Sequence, residues 1–144
     1  MKKRIIAAVF TIMLALPLLF GCKGNSRDAA YKDGAYVGKS GEDDQGAYGE
    51  VTLTIKDGEI TACEFVTWQK DGTIKDENYG KVNDEISSQD YYDKAQLAVK
   101  AMRQYAQRLV EVQNAEDVDA ISGATIAFDQ FQEAVGEALE NAKE

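Results

Sequence analysis

Asp119-Ala120-Ile121-Ser122-Gly123-Ala124-Thr125 is the segment with the most chemical promise. Four small residues in a row, two with hydroxyls, leave Thr125 sterically open, and an apolar helical pattern begins directly after it. Thr125 therefore falls at or just before a helix start, where unpaired N–H groups and the positive end of the dipole favour an anion such as a phosphate group. On residue types alone the favoured reading is a plain helix cap, with Ser122 or Thr125 as the capping hydroxyl and no ligand, because such caps are common. From average amino-acid usage, Ser-Gly-Ala-Thr is expected at a given position about once in 50,000, so chance is a weak explanation in 144 residues.

Other chemistries are short of parts. There is no His, which removes the commonest general base and the commonest metal ligand. Two Cys cannot build a zinc or iron–sulfur site alone. Redox chemistry would have to come from an organic cofactor. Gly34-Ala35-Tyr36-Val37-Gly38-Lys39-Ser40 has Asp33 where a P-loop needs its first Gly, and no helical pattern follows. No G-x-G-x-x-G is present. Glu42-Asp43-Asp44 lacks the order of a calcium loop and reads as a solvated acidic loop. Asp117 and Asp119 have no partner that would fix a hydrolytic pair. A formal charge of −9 argues against nucleic acid as a partner.

These residues need elements to hold them. Tyr31 to Gly38 reads as a turn entering a short strand, and Lys39 to Ala47 as a Gly- and acid-rich loop. Val51, Leu53 and Ile55 alternate with Thr52, Thr54 and Lys56, a half-buried strand. Asp57-Gly58 supplies a two-residue turn of the primed type, and Ile60 to Trp68 is the returning strand. Lys70-Asp71-Gly72 is another turn. Asp76 to Gln89 has no period and reads as loop. Ala95, Ala98, Val99, Met102, Tyr105, Ala106 and Leu109 form one helical stripe, with Ser87 or Ser88 as cap. Phe128, Phe131, Ala134, Val135, Ala138, Leu139 and Ala142 form a second, interrupted by Gly136. Strands followed by helices predict one α+β domain: a small, mostly antiparallel sheet with two main helices on one face.

The first residues read as an address. Met1-Lys2-Lys3-Arg4 is basic, Ile5 to Phe20 is almost continuously apolar, and the run ends Leu19-Phe20-Gly21-Cys22. This resembles the bacterial lipobox, which implies cleavage before Cys22, diacylglycerol on its thiol and anchoring at the outer face of the cell membrane. Residues 1–21 are then leader, 22–30 a polar tether and 31–144 the working domain. Losing Lys2, Lys3 and Arg4 takes the balance from −9 to −12. Cys63, the remaining thiol, reads as a small buried hydrophobe.

Asp119 to Thr125 resembles the flavinylation motif of the FMN-binding domain family. Lys32-Asp33-Gly34-Ala35-Tyr36, Tyr48-Gly49-Glu50-Val51 and Lys56-Asp57-Gly58-Glu59-Ile60-Thr61 resemble that family's opening strands, and the likeness covers most of residues 31–141. The resemblance is nearest to small Gram-positive lipoproteins, some of them precursors of pheromone peptides cut from the leader, here Leu14 to Gly21. It implies that Thr125 carries FMN as a phosphoester installed by a flavin transferase from FAD. It also implies that Asp119, Ser122, Gly123 and Ala124 form the recognised turn. The expected activity is electron carriage at the cell surface rather than turnover of a substrate, with membrane redox partners such as a quinone-linked dehydrogenase. Trp68, Tyr79 and Tyr48 are the candidates to stack on the flavin ring, and acidic surroundings should lower its potential. Ala127 and the absence of His depart from the family pattern. An acidic lipoprotein binding a ligand or partner without flavin is the competing reading.

Overall fold

The computed structural model describes residues 31–143. The expected leader (1–21), Cys22 and the tether (22–30) lie outside the described residues, as does Glu144. Three strands, β1 (Gly34–Lys39), β2 (Tyr48–Lys56) and β3 (Glu59–Trp68), precede two helices, α1 (Gln89–Val112) and α2 (Thr125–Asn141). The sheet is antiparallel in the order β1-β2-β3. The fold is α+β, with α2 lying on β1 and β2 and α1 on β3.

Alternation dictates which face the helices cover. Val51, Leu53 and Ile55 are fully buried beneath them, together with Ile60 and Phe65. Asp57 and Gly58 both have positive φ, 54° and 76°, as a primed hairpin turn requires. The pairing then slips. Ile55 faces Ile60 while Thr54 faces Ala62, so Thr61 is an extra residue. Such a bulge exchanges the two faces of the strand beyond it. From there Cys63, Phe65 and Thr67 point to the helices, while Glu64, Val66 and Trp68 point away.

Gly38 lets α2 lie directly on β1. A Cβ there would sit 2.1 Å from the Ala134 carbonyl oxygen. Helix side chains also cover the outer edge of β1. A carboxylate oxygen of Glu137 accepts from the Lys39 N–H, and Asn141 Nδ2 donates to the Val37 carbonyl, which blunts an otherwise open sheet edge. Ser88 caps α1, its Oγ accepting from Tyr91 N–H. Residues 76–88 have no period but are pinned. Gln96 Nε2 donates to the carbonyls of Asp76 and Tyr79, and Tyr92 Oη to that of Glu77. The two ends of the domain meet: Lys32 N–H donates to the Ala142 carbonyl, 2.9 Å.

Cys63 is only partly buried, yet burial, aided by the charge of Glu64, pushes its thiol up to about 12. Thiolate is the reactive form. Iodoacetamide at pH 8 should therefore alkylate Cys63 in the folded protein roughly a thousandfold more slowly than in guanidinium, read by peptide mass mapping. Because the unfolded chain releases this proton first, the fold should lose stability as the pH rises from 9 toward about 12.

Candidate functional site

The motif occupies the approach to α2. A 3₁₀ turn (Ala115–Asp117), capped by Asn114 Oδ1, leads to the buried Val118. Ile121 to Ala124 closes as a β-turn, Ala124 N–H donating to the Ile121 carbonyl at 3.0 Å. Gly123 sits at φ 84°, as position i+2 of a type II turn demands. A Cβ there would also meet Leu97 Cδ2 at 2.8 Å. Tyr105, buried on α1, clamps the turn from beneath. Its oxygen accepts from Ile121 N–H at 2.9 Å and donates to the Ala124 carbonyl at 3.4 Å, and its ring stacks on Phe131.

Thr125 is the first residue of α2, and the cap position is Ala124, which has no side-chain oxygen. Neither Ser122 nor Thr125 caps the helix, contrary to the plain-cap reading. The first helical bond runs from Phe128 N–H to the Ala124 carbonyl, leaving the amides of Thr125, Ile126 and Ala127 ahead of it. No acidic side chain occupies the first turn, whereas α1 has both a Ser cap and Asp90. The start of α2 is therefore electrostatically bare and suited to an anion.

Thr125 opens on a cleft of ≈ 700 Å³. Its other walls come from β3 (Thr67), from Lys75 and Tyr79 in the following segment, and from Met102 on α1. Thr67 is held by donation to Met102 Sδ, and Lys75 by its N–H to the Thr67 carbonyl. The Lys75 ammonium lies 5.1 Å from the centre of the Tyr79 ring. Among the described residues it has no carboxylate at ion-pair distance. Burial lowers its pKa, with the charge of Asp43 acting in the opposite sense. Burial, with help from Tyr91, pushes the Tyr79 phenol up to about 12. Asp43 also borders the cleft, but one of its oxygens accepts from the amides of Gln45 and Ala47. That gives the acidic loop a turn-forming role.

Gln130 is the feature that calls for a ligand. It is 5% exposed, borders the cleft and donates Nε2 to the Ala47 carbonyl. Its Oε1 is buried with no partner, a state that costs about 1–3 kcal/mol unless a donor meets it.

Thr125, Gly123, Ala124 and Tyr79 border one cleft, whereas four other candidates do not. Ser122 is exposed on the turn and does not line the cleft. Asp119 borders a separate depression of ≈ 400 Å³ behind Tyr105. Tyr48 and Trp68 face each other across β2 and β3 on the sheet surface away from the helices, so neither can stack on anything held beside Thr125. The bulge at Thr61 is the reason: it turns Thr67, not Trp68, toward the cleft. Thr67, Lys75 and Gln130 have no expected role at the site from sequence, and Met102 and Tyr105 are expected only as part of the apolar stripe of α1. Of these only Gln130 left a trace of a site role, as a polar residue beside Phe131 within an apolar stripe.

The model of the FMN-binding domain matches residues 46–140, from the acidic loop to the end of α2. The chain belongs to the FMN-binding domain family. It is a flavin-binding protein. The fold is similar to that of the CPE2226 protein of Clostridium perfringens. That crystal structure aligns with a TM-score of 0.62 at 24% identity, over 78% of this chain and 89% of that one. A solution structure of a Clostridium thermocellum protein aligns at 26% identity with a TM-score of 0.46, over 78% and 93% of the two chains. No curated protein matches the chain. The cleft fits FMN on its own terms. Its volume lies within the range of small-molecule sites, its helix terminus suits a phosphate, and the orphaned Gln130 oxygen awaits an N–H of the kind a flavin ring edge carries.

Proposed function

We propose that this FMN-binding domain carries its cofactor on Thr125 as a phosphoester and relays electrons at the outer face of the cell membrane, anchored through a lipidated Cys22, without a substrate of its own. The observation that carries the reading is the Thr125 hydroxyl, committed to no cap at a bare helix start and opening on the ≈ 700 Å³ cleft. In the attachment reaction the Thr125 oxygen bonds to the FMN-side phosphorus of FAD, the pyrophosphate bond breaks, AMP leaves, and the hydroxyl proton passes to solvent. A flavin transferase supplies the catalysis.

The chain's own residues do the rest. The amides opening α2 would hold the phosphate end, and Gln130 Oε1 would accept from an N–H of the ring. Tyr79 and Met102 offer apolar surface, and Lys75 provides positive charge inside an acidic domain. Bound FMN supplies the one- and two-electron chemistry. Attachment keeps the ring at high effective concentration even where its contacts are loose. The test is intact-mass spectrometry of the chain co-expressed with a flavin transferase. A gain of one FMN less one water supports the reading; an unmodified, colourless chain sinks it.

Lys75 opposes the general effect of the acidic surroundings. Lys75→Met should move the flavin midpoint potential roughly 30–60 mV more negative, measured by dye-coupled titration of the loaded protein. An unchanged potential would place the ammonium away from the ring.

A further inference from the structure

The surface around the cleft is apolar where an acidic domain would be expected to be wet. Among the described residues seven large apolar side chains stand exposed. Five of them, Ile74, Val82, Tyr91, Leu97 and Ile126, gather on this side of the molecule. Ile126 and Tyr91 line the cleft itself. Leu97 packs at Gly123. Ile74 and Val82 line an adjoining depression of ≈ 730 Å³, and Tyr79 and Tyr91 belong to both hollows. Ile126 is 62% and Val82 56% exposed. Val37, by contrast, stands on the far sheet face. Clustered exposure of this kind marks an interaction site rather than ordinary surface scatter.

Charge selects the occupant. The two hollows are walled by Asp43, Asp44, Asp71, Asp76 and Asp84 against only Lys75 and Lys81, and both lysines lie over tyrosine rings. A second copy of a domain with a formal balance of −13 over residues 31–144 would be repelled, as would an anionic bilayer surface. We infer that this rim is the docking surface for a basic redox protein whose contact patch is an apolar centre ringed by lysine or arginine. The inference rests on the electron-carrier reading above. Complementary charge would steer the encounter, and the apolar rim would exclude water at the cofactor mouth.

Ferrous cytochrome c, a basic protein with an exposed apolar haem edge, is the probe. The flavin-loaded ¹⁵N-labelled full chain is anchored in nanodiscs of mixed neutral and anionic lipid and titrated with it. Amide shifts should concentrate at 74–91, Leu97 and 123–127, and affinity should fall at least about tenfold between 20 and 200 mM salt. Ile74→Ser combined with Val82→Ser, both outside the cleft, should weaken binding about tenfold while flavin absorbance and far-ultraviolet circular dichroism stay unchanged. Shifts spread evenly over the acidic surface, or centred on Tyr48 and Trp68, would overturn the inference. So would affinity unmoved by the double variant, rim signals already broadened by the disc before probe is added, or dimerisation through the rim in sedimentation. A chain that carries no flavin defeats the parent reading alone, because the same titration of the flavin-free chain still reports where the probe binds.

Discussion

Thr125→Ala should abolish the FMN mass increment completely while leaving the fold intact. The hydroxyl makes no cap bond and the residue is exposed, so the loss of stability should stay within about 0.5 kcal/mol, as for surface substitutions without a structural role. Were Thr125 a capping residue, the same change would cost about 1 kcal/mol. Denaturant unfolding beside intact mass therefore separates the two readings in one variant. Thr125→Ser should retain an adduct, because the nucleophilic oxygen survives, and Ser122→Ala should retain it too. An adduct that persists in Thr125→Ala would move the acceptor elsewhere.

Gly38→Ala should be the most damaging single methyl in the domain. The added carbon would lie 2.1 Å from the Ala134 carbonyl oxygen and 2.4 Å from the Ala138 nitrogen. Both are helix backbone, so no side chain can swing aside; α2 must lift from β1. About 3 kcal/mol or more is expected, the upper range for overpacking. Gly136→Ala is the control of opposite sign. Gly136 is exposed in the middle of α2 and an added Cβ meets nothing within 4 Å, so helix propensity alone should stabilise by up to about 1 kcal/mol. Urea unfolding of the two variants reads both; equal and small effects would show that α2 does not lie as closely on β1 as described.

The hairpin was legible because Val51, Leu53 and Ile55 alternate and Asp57-Gly58 tolerates positive φ. The helices were legible because their stripes recur at three and four, and Ser88 is a cap with a mechanism. Thr125 was legible as a helix-opening residue because the small residues before it and the apolar pattern after it leave few alternatives. The bulge at Thr61 was not legible: nothing in Glu59-Ile60-Thr61-Ala62 signals an extra residue, and it decides which side of the sheet Trp68 occupies. Lys75 was hidden for another reason. Its position depends on a backbone bond to Thr67 across a turn, a long-range fact without local pattern. Tyr105 fits the apolar stripe and its ring is core, but its hydroxyl holds the motif turn, and periodicity carries no information about the tip of a side chain.

Lys32 joins the carbonyl of Ala142 at the end of α2 away from Thr125, and α2 has 17 residues, so about 25 Å of helix separates the two. Whatever grips the domain by its chain ends, an acylated cysteine or an affinity resin alike, grips it at the pole opposite the cleft. An attachment at either chain end therefore leaves the Thr125 cleft at the far pole of the domain, clear of the point of attachment.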